Sequence, residues 1–115
     1  MSTPIAADGG PLIPMPELTP AALREAVAKI APSRVSDLTQ HLFEATTSAQ
    51  QAQSLAPLRA FIHSWAVFVE IERHPRRAAR LHALERLIQA GVDDPAPALA
   101  EIQQILDKAE AETGL

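Results

Sequence analysis

The sequence predicts an all-α protein, a compact bundle of about five helices behind a disordered, proline-rich N-terminal tail. Alanine is the most frequent of the 115 residues, and alanine, leucine, glutamine, glutamate and arginine all enter helices at little cost. Apolar side chains recur every three or four residues, which is the spacing of one helix face. Most prolines lie in the tail or near the ends of these periodic segments, where they punctuate helices rather than interrupt them.

Residues 1–18 are predicted to form a flexible tail rich in proline and glycine. Five of the ten prolines lie within the first 20 residues, and each removes a backbone donor and disfavours helix in the residue before it. The alternative interpretation is an extended partner-binding segment. Its apolar anchors would be Leu12, Ile13, Met15 and Leu18.

Residues 19–113 are predicted to form a single helical domain, because a chain of this length buries one core. The first helix opens at Thr19-Pro20, an N-cap followed by proline at the first helical position, and ends at Pro32. The second starts near Ser33. We expect it to fray or end at Thr46-Thr47-Ser48, because hydroxyl side chains compete for backbone hydrogen bonds.

The third helix, from about Ala56 to Arg73, is apolar on most of its sides. Such a helix is typically central and buried, and we expect Trp65 to be the largest core residue. The fourth helix is predicted to begin at Pro75 and to end at Gly91, a C′ glycine. A fifth, acidic helix covers residues 95–112 and follows the N-cap Asp94.

Charge is distributed unevenly along the chain. The formal net charge is −4, which argues against non-specific nucleic-acid binding as the main role. The acids concentrate in the fifth helix, whereas Arg73, Arg76, Arg77 and Arg80 fall close together around the start of the fourth helix. This cluster is either a solvated face balanced by nearby acids or a surface for an anionic partner.

These charges supply the candidate partner-binding residues and an alternative function. A DNA-binding transcriptional regulator would use the basic helix Arg73–Arg86, although nucleic acid is the less favoured partner. A protein partner, or a second copy in a homodimer, is favoured. The candidate residues are Arg73, Arg76, Arg77, Arg80, Glu101, Asp107 and Glu110.

The chain carries no motif that predicts catalysis, a cofactor or a metal. Cysteine is absent, and no two histidines have the i, i+4 spacing of a helical metal clamp. His63 is expected to be a hydrogen-bonded interior or boundary residue, His74 a turn residue, and His41 and His82 surface residues. The second alternative function is a small-molecule binder near His63 and Trp65.

The chain is predicted to be cytoplasmic and not to span a membrane. Its longest uncharged apolar stretch, residues 60–69, is far shorter than the roughly 20 residues that a bilayer requires. The first residues also lack the charged and apolar regions of a signal peptide.

Several short motifs resemble a family of small uncharacterised proteins of high-GC actinobacteria that carry a domain of unknown function. They are Leu18-Thr19-Pro20-Ala21-Ala22-Leu23-Arg24, Leu55-Ala56-Pro57-Leu58, the Trp65 helix, His74-Pro75 and Leu84-Glu85-Arg86-Leu87. The resemblance covers roughly residues 18–92 and implies no enzymatic activity and no transferable site residue. Some members are similar to the antitoxin-like partners of small toxins. We therefore expect a non-enzymatic protein-interaction module of antitoxin-like type.

Overall fold

A computed structural model describes residues 10–115 and contains five α-helices within that range. The helices are α1 (Pro20–Ile30), α2 (Val35–Ala52), α3 (Ala56–Glu72), α4 (Pro75–Gln89) and α5 (Ala96–Thr113), with a short 3-10 turn at Pro32–Arg34. No strand occurs among the described residues. The predicted all-α bundle of five helices is confirmed.

Helix α3 lies at the centre of the bundle and contacts each of the other four helices. Its buried residues Phe61, Trp65 and Val69 join α1 and α2 in one core cluster. Ile71 joins α4 and α5 in a second cluster. A helix that packs on two sides must be apolar over most of its circumference, which explains the composition of this segment and confirms its predicted place.

Trp65 is almost fully buried, with 5% of its surface exposed, and its one polar atom is satisfied. The indole Nε1–H donates to Nδ1 of His41 across 2.9 Å. The guanidinium of Arg34 lies 5.6 Å from the Trp65 ring and 4.9 Å from the Phe68 ring, within cation–π range. The expectation that His41 is a surface residue is therefore wrong, since its ring bridges α2 to the core.

The helix ends follow the signals in the sequence, with one exception. Thr19 Oγ1 accepts from Ala22 N–H at 3.1 Å, and Gly91 has the positive φ of 78° that a C′ glycine adopts. Helix α2, however, runs past Thr46, whose hydroxyl donates to the Leu42 carbonyl at 2.8 Å. The predicted fraying or break there is wrong, because the hydroxyl bonds back to its own helix without displacing a backbone bond.

The segment before α1 lies against the bundle. Leu12 N–H donates to the Arg73 carbonyl at 2.7 Å, and Arg73 Nη1 donates to the Ile13 carbonyl at 3.2 Å. Ile13, Met15 and Leu18 pack on the first core cluster. The prediction of a flexible tail is therefore corrected for residues 12–18, and its part covering residues 1–9 lies outside the described residues.

Within residues 10–115, no helix is both long enough and apolar enough to cross a membrane.

Candidate interaction site

Two of the four clustered arginines converge on one buried carboxylate at the junction of α3 and α4. Glu70 has 3% of its side chain exposed, and Arg73 and Arg77 have 16% and 15%. Arg73 Nε donates to Glu70 Oε1 at 3.1 Å, and Arg77 Nη2 donates to Glu70 Oε2 at 2.8 Å. His74 Nε2 lies 3.1 Å from the same Oε2.

We call this network the Glu70 node (Glu70, Arg73, His74 and Arg77). Its geometry indicates a structural role. A carboxylate taken out of water requires charged partners and hydrogen bonds to remain ionised. Arg77 also donates to the Glu70 carbonyl at 2.9 Å, which closes the junction between the two helices. The prediction of a solvated face balanced by nearby acids is right about the balance and wrong about the solvation, because Glu70 is buried. The spacings of three and four residues from Glu70 to Arg73 and His74 were the local signal for their pairing.

The other clustered charges join α4 to α5. Arg80 donates twice to Glu101, at 2.6 Å from Nε and 2.7 Å from Nη2, and Arg77 Nη1 donates to Glu112 at 2.7 Å. The hydrogen bonds from Arg80 lower the pKa of Glu101, and those from Arg77 lower the pKa of Glu112. The hydrogen bonds to Glu101 also raise the pKa of Arg80.

The remaining candidate residues have mixed environments. Glu110 lies 2.7 Å from His63 Nε2 and so ties α5 to α3, while Asp107 accepts from Gln103 on its own helix at 2.8 Å. Arg76 is exposed and forms no ion pair within residues 10–115. The structure therefore does not bring the seven candidates together as one free surface. Those in intrachain ion pairs are Arg73, Arg77, Arg80, Glu101 and Glu110.

A different surface is open to a ligand. We define the apolar groove as a cavity of about 620 Å³ where the start of α1, the first turns of α3 and the last residue meet. An adjoining cavity of about 400 Å³, the groove extension, continues toward the end of α2. The groove is lined by Leu18, Thr19, Pro20, Leu55, Leu58, Arg59, Ile62, His63 and Leu115, and the extension by Thr46, Ala49, Gln50, Gln53, Ser54, Leu55 and Leu58.

Leu55 and Leu58 line both cavities, so the two adjoin at these side chains. Leu55 is 61% exposed, although it precedes the most apolar helix of the chain. Leu55, Leu58 and Ile62 follow one another at helical spacing, so they form a second apolar stripe on α3 beside the core stripe. Leu58 and Ile62 belong to the helix that was predicted to be buried, so this partly exposed stripe was not predicted.

Two ionisable side chains, Arg59 and His63, line the groove. His63 is engaged by Glu110 at 2.7 Å, whereas Arg59 is exposed and has no ion pair among residues 10–115. Of the two residues proposed to mark a small-molecule site, His63 lines the groove, while Trp65 lies in the core and bonds to His41. The groove thus offers an apolar floor and one cationic edge.

No group of three or more histidine, aspartate or glutamate side chains in residues 10–115 is placed to hold a metal ion. No family model, curated protein or solved structure matches this chain. The resemblance to an actinobacterial family therefore remains a prediction, and the case for a function depends on the geometry of the groove and the charges around it.

Proposed function

We propose that the chain is a non-enzymatic protein-interaction module that receives a partner protein in the apolar groove. The observation that supports this function is the apolar lining that the groove and its extension share at the exposed Leu55 and the half-buried Leu58. Large contiguous apolar patches on a folded protein mark interaction sites, because leaving them in water forgoes their burial. The antitoxin-like partner of a small toxin, acting in the cytoplasm, is the specific form of this proposal.

The charge pairing counts against the DNA-binding alternative. Phosphate contacts need cationic side chains that are free to reach the nucleic acid. Arg73, Arg77 and Arg80 are each bonded to a carboxylate of the same chain. Arg76 and Arg86 are exposed, but two cations on an acidic protein are a small electrostatic footprint.

A small-molecule binder is the second candidate function, and the size of the groove favours it. A volume of about 620 Å³ lies within the range of roughly 300–1,000 Å³ that small-molecule pockets occupy. His63 at the edge of the groove is one of the residues that the sequence analysis assigned to such a site. The adjoining extension, which shares Leu55 and Leu58 with the groove, favours a longer, protein occupant.

The proposed function is tested by affinity purification from the native host with three forms of the chain. Leu58→Asp places a charge on the floor of the groove, and the matched control Arg76→Glu/Arg86→Glu alters the two exposed arginines of α4. Circular dichroism checks that both variants fold. We expect a host protein that the wild type and the arginine variant retain and that Leu58→Asp loses.

The opposite pattern, retention by Leu58→Asp and loss by the arginine variant, contradicts the groove. Fluorescence anisotropy with duplex DNA is measured in parallel. Binding that falls steeply with salt would favour the DNA-binding alternative, since salt sensitivity reports phosphate contacts. A solution mass of twice the chain, lowered by Leu58→Asp, would make a second copy the partner.

A further inference from the structure

We infer that the occupant of the apolar groove is an amphipathic α-helix of the partner, with apolar residues on Leu55, Leu58 and Ile62 and a carboxylate against Arg59. This inference rests on the proposed function, because it names the chemistry of the partner at the same site. Three properties of the groove support it: its backbone hydrogen-bonding groups, the residue types in its lining, and the charge of Arg59.

The groove has little to bond an extended backbone. Its walls come mainly from the first turns of α1 and α3 and the last turns of α2, so the backbone groups available to a ligand are the few left free at helix ends. No sheet edge exists among residues 10–115, so strand addition, in which a peptide bonds to an exposed edge, has no template. A peptide that entered as a strand would bury unpaired N–H and C=O groups, each at a cost of about 1–3 kcal/mol. A helix satisfies its own backbone and avoids that cost.

A polyproline segment is also a poor match for this surface. Proline-rich ligands dock on grooves that are lined by aromatic side chains. The lining of the groove and its extension contains leucine, isoleucine, alanine and proline but no phenylalanine or tryptophan. Aliphatic grooves instead accept the apolar face of a helix, read out as anchors at i, i+3 or i+4, and i+7.

The spacing of the apolar residues that line the groove matches one face of a helix. Leu55, Leu58 and Ile62 are spaced as i, i+3 and i+7 and therefore form a straight ridge on α3. The extension carries the apolar floor on toward Ala49 near the end of α2. A partner helix packed along this ridge would place about two turns of apolar residues in continuous contact.

The charge of the occupant follows from the groove's cationic edge. Arg59 is four residues from both Leu55 and His63, so all three lie on one face of α3. Among residues 10–115 the Arg59 guanidinium has no carboxylate partner, whereas His63 is paired with Glu110 at 2.7 Å. An occupant with an acidic residue beside its apolar face is therefore attracted, and a basic one is repelled.

The experiment uses a randomised peptide display library of about 18 residues, long enough for five helical turns. The library is selected on the full chain and depleted on Leu58→Asp. We expect enriched peptides with apolar residues at i, i+3 or i+4, and i+7 and an acidic residue beside them. Arg59→Glu should weaken the best peptide about five- to tenfold, and replacing the peptide's acid by lysine should restore binding to that variant. Arg86→Glu is the matched control and should leave affinity unchanged.

Each of the other outcomes contradicts a stated part of the inference or of the proposed function. Peptides with period-two or proline-rich patterns overturn the helical occupant and leave the proposed function standing. A helical consensus that ignores Arg59→Glu overturns the carboxylate. If no peptide is enriched, the inference fails; a host protein still lost by Leu58→Asp then preserves the proposed function. If neither a peptide nor a host protein depends on Leu58, while dodecanoate saturates the groove, both give way to a small-molecule site.

Discussion

Glu70 is the one charged residue that is buried among residues 10–115, with 2% of its surface exposed. Its two carboxylate oxygens face Arg73, His74 and Arg77. Removing the carboxylate charge leaves the Arg73 guanidinium largely buried without a counter-ion and Arg77 with Glu112 alone, which costs more than the pair contributed to folding. The node therefore fixes the α3–α4 junction rather than presenting positive charge to a partner.

Glu70→Gln is expected to lower the free energy of unfolding by about 3 kcal/mol, because buried ion pairs are costly to break from one side. Urea unfolding followed by circular dichroism measures this change. Glu44→Gln is the matched control, since Glu44 is exposed on α2 and accepts only from Gln40. A loss below about 1 kcal/mol, typical of a surface pair, would show that the node is effectively solvated.

The sequence predicted which residues are buried better than it predicted their hydrogen-bond and ion-pair partners. The size and apolar neighbours of Trp65 indicated a core residue, and the structure agrees. Its hydrogen-bond partner His41 lies 24 positions away, on another helix, and no local pattern links the two. The arginine cluster was visible in the sequence, but its sharing of Glu70 depends on the turn angle at His74-Pro75, which spacing does not determine.

Helix α2 ends in a conformation that does not suit its residue. Gln53 has φ 51° and is the one non-glycine residue with positive φ in the described chain. Its neighbour Ser54 donates to the Ala49 carbonyl at 3.1 Å, which is the 6→1 bond of a Schellman motif. A residue with a Cβ atom is strained in this region, and glycine is not.

Gln53→Gly is therefore expected to raise the free energy of unfolding by about 0.5–1 kcal/mol, the usual penalty for a left-handed non-glycine residue less glycine's entropy. Thermal unfolding at fixed protein concentration detects the shift. The matched control is Gln51→Gly inside α2, which should destabilise. Destabilisation by both substitutions to a similar extent would mean that Gln53 is not strained.

The two ion pairs between α4 and α5 predict how the free energy of unfolding depends on pH. In the folded chain, the pKa values of Glu101 and Glu112 lie below the ordinary value of 4.5, so the unfolded chain binds protons first as pH falls. Their contribution is complete above about pH 4.5 and is lost as pH drops through the folded pKa. Glu101→Gln/Glu112→Gln should thus lose less stability than the wild type between about pH 6 and pH 3.

Urea midpoints at the two pH values measure this difference. Added salt should weaken the Arg80–Glu101 contribution, since both side chains are exposed and exposed pairs are screened. An unchanged pH dependence in the double variant would show that other carboxylates govern acid unfolding.

For the helices, capping residues gave most of the correct predictions of where each helix begins or ends. Thr19-Pro20 and Gly91 marked ends that the structure confirms, because each signal acts over a few residues. Asp94 lies one position before the observed N-cap Pro95 of α5, although its carboxylate accepts from Ala96 N–H at 3.1 Å. The threonine-rich part of α2 misled the prediction, since the Thr46 hydroxyl bonds to its own helix. The neighbouring Ala45 is buried, and tertiary packing of this kind is not visible in local hydroxyl content.

Across the whole molecule, the unpredicted features are those that join distant segments. The groove needs residues 18–20, the first turns of α3 and Leu115 to meet, and no periodicity encodes that meeting. The packing of residues 12–18 depends likewise on the carbonyl and the guanidinium of Arg73, about 60 positions away. The composition of this segment indicated flexibility, but Ile13, Met15 and Leu18 find partly buried positions on the core.

Ile13→Ala/Met15→Ala is expected to reduce the free energy of unfolding by about 1–2 kcal/mol, less than for fully buried side chains because both are partly exposed. Urea unfolding measures the loss, and Glu17→Ala, at an exposed position, is the matched control. A flexible segment would give no loss in either variant, so equal stability would restore the original prediction.

The most direct measurement is amide hydrogen exchange on the full chain with and without the peptide or protein that its groove selects. Docking in the apolar groove should slow exchange at residues 18–23 and 55–62, where the first turns of α1 and α3 contribute to the lining, and leave α4 unchanged. Slowed exchange confined to residues 73–86 would contradict the account and return the interaction to the arginine-rich helix.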